Sequence, residues 1–305
     1  MTPFRNKAIN KLKYKIISLV MYDIEKFKLL LKNYSKIIVF SIVFLMTAIF
    51  SLYYSYVFDK NLLKVYFLDV GQGDSILIKA PRNNLLLIDT GANEKVVSKV
   101  EGVLQVNIKQ IEGVLLTHQD LDHDGGFQYI HKYFHVKSLY ISNNYTEKLD
   151  FTNKYIVSQG DVVDMDGVML EIISPNYNDV GSSNHTSIVS ILKYGNYRFI
   201  FMGDADKEIE RKLVAQGYFD NSDQYIDVLK LGHHGSDTSS SESFLKKIKP
   251  EYCIFSVGEG NSYGLPSTSI LDLSEKYCKS IYRTDEDGSI GVFTDGKTVK
   301  IKKSL

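Results

Sequence analysis

Ile37 to Phe58 form a run of 22 residues without a charged side chain (IIVFSIVFLMTAIFSLYYSYVF). A helix of that length reaches roughly 33 Å, enough to cross a hydrocarbon core about 30 Å thick. Core helices of soluble domains are seldom so long and so free of charge. Nine basic residues precede the run, from Arg5 to Lys36, and Tyr53, Tyr54 and Tyr56 lie at its far end, where interfacial aromatics collect. A lead of this length is too long for a cleaved signal peptide, and bulky Leu52-Tyr53-Tyr54-Ser55-Tyr56 stands where small residues would mark a cleavage site. The segment reads as an uncleaved transmembrane signal anchor. Residues 1–36 then form a basic cytoplasmic segment, and the rest of the chain faces outside. Residues 9–35 mix apolar residues with lysines. They would form either a helix lying on the anionic inner leaflet or a charged cytoplasmic stub.

The charge divides in the same place. Residues 1–61 hold ten basic and three acidic side chains, a net of +7. Of 36 residues of each sign in the chain, 26 basic and 33 acidic remain in 62–305, a net of −7. That balance argues against a generally basic nucleic-acid coat protein. Two cysteines exclude a disulfide scaffold and a cysteine-based zinc module. Cys253 falls on an expected strand and Cys278 at a helix end, so the two are expected to stay separate, although an exported domain permits a bridge.

From Leu62 onward short strand patterns alternate with helical ones, with no long linker or repeat. Residues 63–69, 75–79, 85–89 and 111–116 read as strands, punctuated by Gly71-Gln72-Gly73-Asp74 and Pro81-Arg82-Asn83-Asn84. Residues 162–173 and 187–202 read as hairpins turning at Asp166-Gly167 and Tyr194-Gly195-Asn196. The remainder alternates: helix 205–217, strand 226–231, helix 240–248, strand 252–257, helix 267–278, strand 280–284 and a final hairpin. This pattern predicts one α/β domain, residues 62–305, with two sheets and helices on the outer faces.

The chemistry concentrates at strand ends. Gly113-Val114-Leu115-Leu116-Thr117 runs directly into His118-Gln119-Asp120-Leu121-Asp122-His123, so two histidines and two aspartates share one loop, followed by Gly125-Gly126. Imidazole and carboxylate are ligands that zinc, manganese and iron accept. Phe199-Ile200-Phe201-Met202-Gly203 delivers Asp204, and Val228-Leu229-Lys230-Leu231-Gly232 delivers His233 and His234. Apolar strands ending in an acid or a histidine are how open sheets present a site at one edge. Asp204 could otherwise cap the helix that follows it. His131 and His135, in a helical stretch, read as structural.

These segments resemble the metallo-β-lactamase superfamily, through LTHQDLDHDGG (116–126), and within it the hydrolase domain of ComEC-type competence proteins. VYFLDVGQGDSILI (65–78) and VLKLGHHGSDTSSS (228–241) carry the second likeness, with LLIDTG (86–91), FIFMGDAD (199–206), NSYGLP (261–266) and RTDEDGSI (283–290) in support. The resemblance covers residues 62–303. It implies an αββα sandwich, here preceded by one transmembrane helix, with a dinuclear site of two divalent ions, zinc or manganese, at one edge. It implies that His118 and Asp120 bind the first ion, Asp122 and His123 the second, and that Asp204 bridges them. His233 or His234 would complete the second site, the other being free to act in catalysis. Asp89 would orient a ligand histidine.

Two departures stand out. Asn184-His185-Thr186-Ser187 keeps the branch's Asn-x-x-Ser pattern and adds His185, which is a ligand or a pocket residue. Tyr263-Gly264-Leu265-Pro266 has leucine where the branch commonly has histidine. The implied activity is metal-dependent hydrolysis of a phosphodiester, by a membrane-bound phosphodiesterase or nuclease. Asp122, Asp204 and His234 are its candidate catalytic residues. A nucleic-acid partner would need a local basic patch, for which Lys230, Lys246, Lys247, Lys249, Lys276 and Arg283 are available. The alternatives are hydrolysis of another ester, such as a lactone or a cell-surface phosphoester, or a metal-binding interaction module.

Overall fold

The computed structural model describes residues 3–60, 62–104, 108–146, 149–220 and 225–304. The chain divides into two compact units, Met1–Asp59 and Lys60–Leu305.

The first unit is one helix, α1 (Pro3–Lys60), of 58 residues. At 1.5 Å per residue it is roughly 87 Å long. No proline or glycine occurs between Pro3 and Gly71, so nothing in the sequence breaks it. It contains the one helix among the described residues that is long and apolar enough to cross a membrane. Tyr53 is exposed, while the side chains of Tyr54 and Tyr56 lie outside the described residues.

The second unit is built from two sheets. The first takes β1 (Leu63–Phe67), β2 (Ile76–Lys79), β3 (Leu85–Ile88), α2 (Lys95–Val103), β4 (Gln110–Leu115), α3 (Leu121–Asp124), α4 (Phe127–Tyr133), β5 (His135–Ile141) and β6 (Lys154–Ile156) in chain order. The chain then crosses to β7 (Val162–Asp164), β8 (Met169–Ser174), β9 (Val189–Tyr194), β10 (Tyr197–Phe201), α5 (Lys207–Ala215), β11 (Val228–Lys230), α6 (Glu242–Ile248), β12 (Tyr252–Phe255), α7 (Thr268–Tyr277), β13 (Ser280–Arg283) and α8 (Thr284–Asp287). It returns through β14 (Ile290–Thr294) and β15 (Val299–Lys302). The sheet orders are β15-β14-β1-β2-β3-β4-β5-β6 and β13-β12-β11-β10-β9-β8-β7.

Strand alternation sorts the side chains into three layers. Leu63, Val65 and Phe67 of β1 face Phe199 and Phe201 of β10 in the core between the sheets. Tyr66 and Leu77 point the other way, onto Val96, Val100 and Ile130 of α2 and α4. Ile200 and Leu229 point out from the second sheet onto Ile209, Leu245 and Ile270 of α5, α6 and α7. The central strands are therefore apolar on both faces, which is why they read as nearly continuous hydrophobic runs. The result is the expected αββα sandwich. The hairpins at Asp166-Gly167 and Tyr194-Gly195-Asn196 form as expected.

One expectation is corrected. Cys253 and Cys278 are joined as a disulfide, with Cα atoms 6.0 Å apart. β12 and β13 pair in parallel, Cys253 opposite Ile281, which brings the end of α7 over β12.

Candidate metal centre

The parallel strands β3 and β4 of one sheet, and β10, β11 and β12 of the other, end at one edge of the sandwich. Beyond β3 stands Asp89, beyond β4 His118, beyond β10 Asp204 and beyond β11 the pair His233 and His234. Asp120 is extended and starts the short α3, which turns Asp122 and His123 back toward the edge. Asp74 N donates to Asp122 O at 3.1 Å, and a Cβ on Gly73 would lie 2.1 Å from that oxygen. Only glycine lets the two loops approach so closely. His233 and His234 both take left-handed backbone angles (φ 48° and 52°), an uncommon conformation that turns successive rings into the site.

Asp204 is the centre of the arrangement. Its Oδ1 is 3.3 Å from His123 Nε2, and its Oδ2 is 3.8 Å from His118 Nε2, 3.7 Å from His234 Nε2 and 3.6 Å from His233 Nε2. Asp120 Oδ2 lies 3.5 Å from His118 Nε2, and Asp122 Oδ2 lies 3.2 Å from His234 Nε2. Ligand atoms of His118, His123 and Asp204 fall within 4.8 Å of one another, as do those of Asp122, His123 and His234. It is buried His234, not the more exposed His233, that joins Asp122 and His123.

The opposite face of each buried ring is held. His123 Nδ1 meets Asp89 Oδ2 at 2.8 Å, and His234 Nδ1 meets Ser256 O at 2.8 Å. His118 Nδ1 meets Thr117 Oγ1 at 3.0 Å. Asp89 is itself fixed by Thr117 N and Thr117 Oγ1, both at 2.8 Å. These are the outer contacts that orient metal-ligating imidazoles. Among the described residues, His118 Nε2, His123 Nε2, His234 Nε2 and Asp204 Oδ1 are buried without a hydrogen-bond partner. Buried polar atoms are rarely left so, and here they converge with acids. Nitrogen and carboxylate donors of this kind suit a divalent ion.

The charges agree. Burial would lower the pKa of His234, but Asp204, Asp122 and Asp74 carry it up to about 9. Burial opposes the charged form of His123 too, yet Asp204 and Asp89 raise it well above the ordinary range. Burial would raise the pKa of Asp204, but His123, His234 and Lys230 hold it well below the carboxylate range. Protons on the rings balance acids that a cation could balance instead.

Two residues of the site were not expected from the sequence. Asp74, read there as part of a turn, is 1% exposed and lies 3.3 Å from His234 Nδ1. Its other oxygen contacts the ammonium of Lys230, which is fully buried and also donates to Gly203 O at 3.2 Å. The lysine thus ties together the strand ends that deliver Asp204 and His234. Their signal was the Gly-Asp-Ser of DVGQGDS and the lysine inside an otherwise apolar strand.

Of the six suggested basic-patch residues, Lys249 and Lys276 line one cleft, and four are paired with acids. Lys230 is spent on Asp74, Lys247 on Asp220, Lys276 on Glu242 and Arg283 on Asp285 and Glu286. His185 lies apart from the ligand cluster: its Nδ1 meets Asp206 Oδ2 at 2.9 Å. Asp206, not Asp204, caps α5, accepting from Glu208 N and Ile209 N. Leu265 packs against the outer core of the second sheet.

A two-sheet sandwich with histidines and aspartates converging at one edge defines a metal-binding hydrolase fold of the metallo-β-lactamase kind. Residues 68–258 match the Metallo-beta-lactamase superfamily model, and the chain belongs to that family, whose members are in general metal-dependent hydrolases and whose fold implies divalent-metal binding. The ComEC-like resemblance is borne out by similarity to ComE operon protein 3 of Bacillus subtilis (strain 168), 31% identical over 259 residues, 74% of this chain and 32% of that protein. Competence protein ComA of Neisseria gonorrhoeae is 32% identical over 225 residues, 73% of this chain and 31% of that protein. The chain spans about a third of the length of these relatives. Among solved structures, the metallo-beta-lactamase fold protein YhfI from Bacillus subtilis agrees in fold alone, with TM-score 0.52 at 11% identity over 73% of this chain and 95% of that one.

Proposed function

We propose that the chain is a membrane-anchored, extracytoplasmic phosphodiesterase of the nuclease type. Residues 37–58 are its anchor and residues 62–305 its hydrolase domain. The observation that carries the reading is the convergence of three unsatisfied imidazole nitrogens on the carboxylate of Asp204.

In this reading His118 and Asp120 would hold one divalent ion, Asp122, His123 and His234 would hold a second, and Asp204 would contribute to both. Such ions, when bound, acidify a water for attack and stabilise charge on the oxygens of an in-line displacement. The chain's part is to hold six donors in register. Asp89, Thr117 and Ser256 fix the rings, and the Asp74–Lys230 pair fixes the loops. His233, 28% exposed at its side chain, opens to solvent beside Asp204 and is assigned to hydrogen-bond a substrate oxygen. His185, bound to Asp206, is assigned to the rim. Carboxylates at both sites harden the donor set, which makes manganese a candidate beside zinc.

Outside location is supported by the lysine-rich lead before Ile37 and by the disulfide, which forms and persists in oxidising compartments. A nucleic-acid substrate is supported by the likeness to competence proteins. A second reading, a less highly charged ester, is favoured by the net −7 of the body and by the pairing of four of its candidate cations with acids. The full chain in detergent, supplied with manganese or zinc, is to be tested on single- and double-stranded DNA, RNA, bis-p-nitrophenyl phosphate and a lactone. Cleavage of the aryl phosphodiester and of nucleic acid is expected. Lactone turnover alone would favour the second reading, and inertness toward every substrate would remove the enzyme assignment.

A further inference from the structure

From Ile17 to Leu52 the exposed face of α1 carries one seam with the alternating three- and four-residue spacing of a heptad repeat. Its first set of positions is Ile17, Ile24, Leu31, Ile38, Leu45 and Leu52. Its second set is Val20, Phe27, Tyr34, Ser41 and Ala48. No charge interrupts the seam across both the basic segment and the apolar run. Each of the other six heptad registers over residues 17–38 places at least one charged residue in its seam. The seam is uncovered in the folded chain: Ile24 is 48% exposed, Leu31 44% and Leu45 59%.

We propose that this seam is covered by a second copy of the chain, forming a parallel two-stranded coiled coil that continues into the membrane. The spacing supercoils two helices left-handedly, and Ile17, Ile24 and Ile38 place β-branched residues at three of the six first-set positions, the side chains that parallel pairs accept there. The flanking charges match. In a parallel pair in this register, Asp23 of one copy meets Lys28 of the other across the seam. Within a single chain Lys28 meets Glu25 at 3.1 Å, in a pair about two-thirds exposed. In the apolar run the second set becomes small, at Ser41 and Ala48, which lets backbones approach where lipid supplies no hydrophobic drive.

A membrane-surface helix fits less well. It would have to turn sharply at residues 35–37 to enter the bilayer. α1 is unbroken through that point, and the sequence offers no proline or glycine there to make the bend. A parallel pair sets both hydrolase units on the same side of the membrane.

Single cysteines placed in the full chain, Ile24→Cys and Leu31→Cys in the seam and Leu29→Cys and Lys32→Cys outside it, test this in membrane vesicles treated with a copper–phenanthroline oxidant. The unsubstituted chain, with its Cys253–Cys278 bridge, is the background control. The expected result is a disulfide-linked dimer on non-reducing gels for Ile24→Cys and Leu31→Cys, and its loss for the other two at equal membrane content. Adding Asp23→Lys to Ile24→Cys should reduce the dimer band, and adding Lys28→Asp as well should restore it. No cross-link at any position, or equal cross-linking at all four, would overturn the proposal. The positions lie outside the apolar run and in the helical unit rather than the hydrolase unit, so the outcome is independent of whether the chain hydrolyses anything.

Discussion

Asp204 has an oxygen within 3.8 Å of the rings of His118, His123, His233 and His234, and Asp122 faces His234 at 3.2 Å. Both stand beyond strand ends, so truncating them removes donors without opening the core. Asp122→Ala and Asp204→Ala should each lower hydrolysis by more than the ~10–100-fold typical of losing an outer-shell partner, with the circular dichroism spectrum of the folded chain little changed. The raised pKa of His234 makes a second prediction. Its folded value, about 9, exceeds the ordinary 6.5, so its protonation stabilises the metal-free fold fully below pH 6.5 and is lost as pH rises through 9. A bound cation displaces that proton, so the melting-temperature gain from manganese or zinc should grow between pH 6.5 and 9. A gain that shrinks over that range would contradict the assignment. Lys230 and Asp74 make a third. Lys230→Met strands a buried carboxylate and should cost about 3–5 kcal/mol in denaturant unfolding, much of which Asp74→Asn in the same chain should restore. The HxDxDH loop, Asp204 and the histidine pair were legible because ligand types stand just beyond apolar strands. Asp74 and Lys230 were not, since whether a lysine is buried depends on a partner that only the closed sandwich brings near.

Among the elements, the strands of the central layers were legible almost to the residue, because burial on both faces leaves short apolar runs with polar punctuation. β6 was not: Lys154, Tyr155 and Ile156 are exposed at the sheet edge and carry no alternation. α2 was also missed, because its buried Val96, Val97 and Val100 are β-branched and sit among polar residues that read as loop. The Cys253–Cys278 bridge was hidden for a different reason. It depends on the parallel register of β12 and β13, which sequence spacing does not reveal. Joining the end of α7 to β12, it should contribute about 2–4 kcal/mol. Cys253→Ala with Cys278→Ala should lower the urea midpoint accordingly and leave metal binding intact, because the metal centre lies at the opposite ends of β11 and β12 from the bridge.

For the whole molecule, the proposed arrangement is a basic helix entering the membrane and an acidic hydrolase unit beyond it. Protease added to cells stripped of their wall should digest residues 62–305 while leaving the lysine-rich lead protected; the reverse pattern would invert the topology. The proposed chemistry rests on the donors gathered around Asp204. The most direct test is elemental analysis of the purified full chain after loading with manganese or zinc, beside the Asp204→Ala variant. Two ions per chain, falling sharply in the variant, is the predicted result. A chain that retains no metal, or retains the same amount without Asp204, would contradict the account.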